Sequence, residues 1–123
     1  MFIIYFELKT KNIMETVSNI MNIVFVLMFI SIAFMFKNYY PKDINSLVGY
    51  RTKRSIASEK NWLFANKFSS NLLFKCTLVL PIVQVLLYLI FGSLVALIGM
   101  LSLWVLMLFA VILITEKKMM KMS

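Results

Sequence analysis

Between Asn45 and Phe68 the chain reads NSLVGYRTKRSIASEKNWLFANKF, a stretch rich in side chains that bind charge. It holds five of the thirteen Lys/Arg residues (Arg51, Lys53, Arg54, Lys60 and Lys67), together with Trp62 and a Ser/Thr-rich turn. Arg51 beside Thr52 offers a planar guanidinium fork and a hydroxyl, a pair suited to a phosphate or a carboxylate. Gly49 is able to take the positive φ that turns the chain ahead of Tyr50. Ser58 followed by Glu59 marks a helix start, because a Ser hydroxyl accepts from first-turn N–H groups and an acid suits the positive helix end. A helix from Glu59 sets Trp62, Ala65 and Phe68 or Ser69 on one side and Lys60, Asn61 and Lys67 towards the other. That pattern predicts a short amphipathic helix lying on a membrane interface or running into the next apolar segment. Each residue also has a plainer reading. Arg51, Lys53 and Arg54 serve equally as topology determinants and lipid contacts, Trp62 as an interfacial anchor, and Ser55 and Ser58 as turn formers and caps.

Other chemistries lack their materials. The chain has no His, and its five carboxylates, Glu7, Glu15, Asp43, Glu59 and Glu116, all fall outside the long apolar runs. No zinc site, His-based catalyst or intramembrane proton relay is expected from such a set, and neither an enzyme nor a cofactor. Cys76 is the single cysteine, which rules out an intramolecular disulfide. Its place in an apolar run reads as a buried structural thiol.

The elements that position the charged stretch are apolar. At 62% hydrophobic residues and a mean hydropathy of +0.89, the 123-residue chain is too apolar for a water-soluble domain. It reads as one all-α membrane domain over 1–123, with three transmembrane helices at about 17–36, 72–91 and 94–115 and a polar connection over 37–71. Phe2–Phe6 is too short to span and reads as an interfacial anchor, with Met14 an alternative start. No basic n-region or small-residue cleavage site marks it as a signal peptide. Asn19 and Asn22 share a helix face in the first span. Pro81 removes a backbone hydrogen bond from the second, one turn before Gln84, which is placed to bond a neighbouring helix. Gly92-Ser93 is the only break before the third, predicting a tight hairpin whose helices approach along Ser93, Ala96 and Gly99, with Ser102 drifting off the same side. Glu116, Lys117, Lys118 and Lys121 read as a solvated basic tail.

The formal charge of +8 could suggest nucleic acid. Basic residues beside apolar spans more often orient a chain and meet anionic lipid, so membrane lipid is the expected partner and no direct nucleic-acid contact is expected. The connection over 37–71 carries seven Lys/Arg against Asp43 and Glu59. Basic flanks stay cytoplasmic, which places the amino terminus outside, the connection inside, the hairpin turn outside and the carboxyl terminus inside.

The run Asn45, Gly49-Tyr50-Arg51-Thr52, Ser55, Ser58, Trp62, Ala65-Asn66 resembles the signature of the SdpI family, small bacterial membrane proteins named for immunity to a secreted peptide toxin. The resemblance implies a bacterial cell-membrane protein giving bacteriocin immunity. It marks Asn45, Gly49, Tyr50, Arg51, Thr52, Ser55, Trp62, Ala65 and Asn66 as partner-binding positions. For the family's namesake it implies signal transduction as well, with a cytoplasmic transcriptional regulator held at the membrane. The implied partners are then a peptide toxin or another membrane protein, and that regulator. An alternative from a different class is a holin-like or pore-forming small protein, which shares the few spans and the basic tail.

Overall fold

The computed structural model describes residues 1–122, and among these the regular structure is entirely helical. α1 runs from Phe2 to Asn38, α2 from Glu59 to Phe91 and α3 from Ser93 to Met120, with a 3-10 turn at Ser55–Ala57. All three helices are long and apolar enough to cross a membrane. Most of their apolar side chains face outward, so the surface these helices offer is one that lipid satisfies and water does not.

α1 is longer than the apolar run inside it. Phe2–Phe6 forms its first turns instead of a separate anchor, because neither Gly nor Pro interrupts the chain before Pro41. The hydroxyls along the way satisfy themselves within the helix: Thr10 donates to the Phe6 carbonyl at 2.9 Å, Thr16 to Asn12 at 2.9 Å and Ser31 to Leu27 at 2.7 Å. At 37 residues the helix is about 55 Å long.

Of the two placements expected for the helix from Glu59, the structure shows the one that runs into the next apolar segment, so no separate interfacial helix forms. The helix that starts at Glu59 continues for 33 residues to Phe91. The polar break at Ser69-Ser70-Asn71 does not end it. Ser70 donates to the Lys67 carbonyl at 3.1 Å and Asn71 to the same carbonyl at 2.8 Å, so these side chains bond along the helix instead of competing with it. The connection between α1 and α2 is therefore 39–58, with the 3-10 turn inside it. Ser58 caps α2 as its sequence predicts, accepting from the Asn61 N–H at 3.1 Å. α2 also runs on through Pro81.

Polar groups join the helices at one end. Ser18 and Ser93 hydroxyls lie 2.6 Å apart, and the Asn22 amide donates to the Ser93 carbonyl at 2.9 Å. Gln84 donates in turn to the Asn22 side chain. Asn19, on the same face, is only half-buried. Midway, Phe29 stacks on Trp104 at 4.2 Å. At the other end Lys37 sits over the Phe74 ring at 4.4 Å. Cys76 is half-buried instead of buried.

Gly92 (φ +87°) is the single residue between α2 and α3. Ser93 and Ala96 are buried, Gly99 is half-buried and Ser102 is exposed. A Cβ placed on Gly99 would come within 2.8 Å of the Leu87 Cδ1 atom. A methyl there displaces only the end of a flexible side chain, whereas a larger group must separate two backbones. Gly99→Leu is expected to cost about 1–3 kcal/mol in a detergent unfolding assay, while Leu106→Phe, at a site 63% exposed, changes little. Equal melting of the two variants would contradict close packing at Gly99.

Candidate functional site

The connection before α2 is held by its own polar atoms. The Asn45 side chain accepts from the Leu47 and Val48 N–H groups at 3.1 and 2.8 Å and closes a local turn. Gly49 then takes φ +117°, a conformation that L side chains rarely adopt. Space is short there too. A Cβ on Gly49 would lie 2.7 Å from both the Asn66 Oδ1 and the Pro41 Cγ atoms, and 3.2 Å from the Trp62 ring.

Beyond Gly49, the Tyr50 N–H donates to Asn66 Oδ1 at 2.7 Å, and the Asn66 amide donates back to the Trp62 carbonyl at 3.0 Å. Trp62 is fully buried and its indole N–H donates to the Pro41 carbonyl at 3.0 Å. It is a core residue pinning the connection to α2, not the interfacial anchor its type suggested. Ser55, also fully buried, accepts from the Thr52 N–H at 2.8 Å and lies within 3.0 Å of the Tyr50 and Thr52 carbonyls. Ala65 is buried on the same side of α2 as Trp62 and Asn66.

The connection reaches α3 through Glu116. Its Oε1 atom accepts from the Thr52 hydroxyl at 2.6 Å and lies 3.0 Å from the Tyr50 hydroxyl, which is 3.1 Å from the Ile112 carbonyl. Arg54 sits 3.9 Å from Oε2, with side-chain exposures of 45% and 26%. So long and exposed an ion pair is worth well under about 1 kcal/mol, whereas hydrogen bonds to a charged group are worth about 1.5–3 kcal/mol. The hydroxyls hold the carboxylate. Burial, then the hydrogen bond and the negative charge of Glu116, raise the Tyr50 pKa above its ordinary value.

Glu116 is thus no part of a solvated tail. α3 continues to Met120, with Met119 buried. Its neighbours Lys117 and Lys118 made Glu116 read as part of a basic tail, although its isolation as the one acid after Glu59 was a signal. A cavity of about 260 Å³ lies beneath, bordered by Phe36, Tyr40, Tyr50, Asn66 and Leu108. It falls just below the roughly 300–1,000 Å³ of small-molecule sites.

The nine singled-out residues therefore divide. Gly49, Tyr50, Thr52, Ser55, Trp62, Ala65 and Asn66 converge on one knot, and Asn45 shapes the turn leading into it. Arg51 stands outside. It donates to the Ser46 carbonyl and is exposed, as are Lys53, Lys60 and Lys67. The Thr52 hydroxyl is engaged with Glu116, so an anionic partner would meet the Arg51 guanidinium without it.

Residues 42–115 match the SdpI/YfhL protein family. A 46-residue segment is 41% identical to an uncharacterized protein, YfhL, of Bacillus subtilis (strain 168). That segment covers 37% of this chain and 42% of the relative, so the match spans less than half the length of either. No solved structure matches the chain.

Gly49→Ala combines a strained φ with two close contacts, and it is expected to destabilise the fold by about 1–3 kcal/mol. Unchanged melting would contradict the knot. A second expectation concerns pH. A raised Tyr50 pKa means that the folded protein holds this proton more tightly than the unfolded chain. The associated stability is present below the ordinary tyrosine value of about 10 and is lost as pH rises above it. Stability above that value should fall more steeply in the parent than in Tyr50→Phe, measured by unfolding at stepped pH.

Proposed function

Because the chain belongs to the SdpI/YfhL protein family, we propose that it is a small bacterial membrane immunity protein that protects its cell against a secreted peptide toxin. Its signature acts as a brace that presents a cationic surface at the cytoplasmic face. The observation that carries this reading is the division within the signature: buried and half-buried members lock the connection onto α2 and α3, leaving Arg51, Lys53 and Lys60 outward. A stretch serving only to orient the chain needs charge and no such lock.

In this reading α2 and α3 form a tight membrane hairpin with its turn outside, the amino terminus lies outside, and the carboxyl terminus lies inside. The hydrocarbon is crossed by about 17–36, 72–91 and 94–115 within longer helices. The cationic surface meets anionic lipid headgroups and takes an acidic group of a cytoplasmic regulator, so that toxin engagement by the helices is relayed inward. The role is one of binding and not of catalysis.

Toxin challenge of cells with and without the protein tests the reading, with protection the expected outcome; lysis on expression would instead point to a pore-former. Arg51→Lys keeps the charge and the topology but loses the bidentate fork. It is expected to reach the membrane at parental levels, with a cysteine at Lys53 labelled only after permeabilisation and one at Phe91 labelled in intact cells, yet to protect less. Full protection by Arg51→Lys would reduce the surface to an orienting charge.

A further inference from the structure

α1 leaves the bundle at one end. Ser18 and Asn22 both bond to Ser93, the first residue of α3, so Phe2–Val17 extends about 24 Å past the α2–α3 connection. On its inward side Glu7, Lys11 and Glu15 border an open cavity of about 600 Å³ together with Phe91 and Leu94. Ile3, Phe6, Ile13 and Val17 on this projection are each more than half exposed. A row of large apolar side chains standing beyond the bundle calls for a cover.

The spacing identifies the cover. Ile3, Thr10, Val17, Val24 and Ser31 recur every seven residues, and Phe6, Ile13, Ile20 and Leu27 fall three residues after each in turn. These are the two core positions of a heptad repeat, kept in register over four heptads. The seven apolar members are 48–72% exposed, on the side of α1 turned away from buried Phe29 and Ala33. Within lipid an apolar stripe says little, since its neighbours are apolar as well. In the projecting part all the charged side chains, Glu7, Lys9, Lys11 and Glu15, lie off the stripe, and from Lys9 to Val17 so do all the polar ones but Thr10, while nearer the end Phe2, Ile4, Tyr5 and Leu8 are exposed off it as well.

We propose that this stripe docks on α1 of a second copy of the chain as a parallel two-stranded coiled coil. Copies of a multi-pass protein insert in one orientation, so two α1 helices run parallel about a two-fold axis along the membrane normal and each stripe residue meets its counterpart. Uncharged stripe positions set no like charges face to face. β-branched Ile3, Thr10, Val17 and Val24 at the first core position suit parallel strands, Leu27 at the second suits two of them, and Ile13 and Ile20 at the second do not select that number, so the two-fold count is what the mass measurement below decides. The Thr10 and Ser31 hydroxyls already donate to their own helix and enter the seam without an unmet donor. A stable interface needs about 800 Å² from each partner, or about 60 Å² from each of the nine stripe residues and the flanking residues Met14, Met21, Met28 and Ile23. The pairing does not depend on the toxin reading.

The test is a cysteine scan of the full chain in native membranes, on a Cys76→Ser background with a mild oxidant. Ile13→Cys, Val17→Cys and Ile20→Cys are expected to form disulfide-linked dimers, and Leu8→Cys, Asn12→Cys and Glu15→Cys to form about tenfold less, following the 3.5-residue period. In detergent, Ile13→Glu is expected to lower the dimer fraction about tenfold or more, because it buries an unpaired charge. Should that variant fail to insert, the scan decides alone. Cross-linking as strong off the stripe as on it, or unlinked stripe cysteines in a chain of monomeric mass, overturns the proposal.

Discussion

The Glu116 carboxylate is the point on which the connection and α3 converge. One oxygen takes the Thr52 hydroxyl at 2.6 Å and lies 3.0 Å from that of Tyr50, on a connection otherwise fastened to α2 through Asn66 and Trp62. Remove the carboxylate and two part-buried hydroxyls lose a charged acceptor, each worth about 1.5–3 kcal/mol. The exposed Arg54 pair could not replace them. The cations around this point therefore owe their arrangement to hydroxyl groups more than to ion pairing.

The same economy governs the rest of the molecule. In lipid, apolar side chains gain nothing by leaving their surroundings for one another, so helix association falls to close packing and to hydrogen bonds. Two polar clusters supply these at opposite ends. Ser18, Asn22, Gln84 and Ser93 join all three helices at one end, and the Glu116 knot gathers the connection, α2 and α3 at the other. Between them stand the Phe29–Trp104 stack and the small-residue approach at Gly99.

Much of this was legible in the sequence. Apolar run length marked three helices, Ser58 before Glu59 marked a cap, Gly49 marked a positive φ, and Gln84 in an apolar helix marked an interhelix bond. Helix continuity was left between two placements, and the side chains of Ser70 and Asn71 bonding along the helix decide for the continuous one. The burial of Trp62 depends on Pro41 returning over it, a contact across 21 positions. The role of Glu116 depends on Thr52, which is 64 positions away. Periodicity reports which face a residue occupies, and it carries no signal for pairings at that range. The run from Gly49 to Asn66 that resembles the family signature did carry one: its unevenly spaced residues belong to one knot more than to a row of ligands.

The central claim, that Glu116 and the Thr52 hydroxyl hold the connection together, is tested most directly by a double-mutant cycle of Thr52→Val and Glu116→Gln, read by reversible unfolding in detergent. The predicted result is a coupling free energy of about 1–3 kcal/mol, with the double variant less destabilised than the sum of the singles. Additivity to within about 0.5 kcal/mol would contradict it, since neither group would then sense the other.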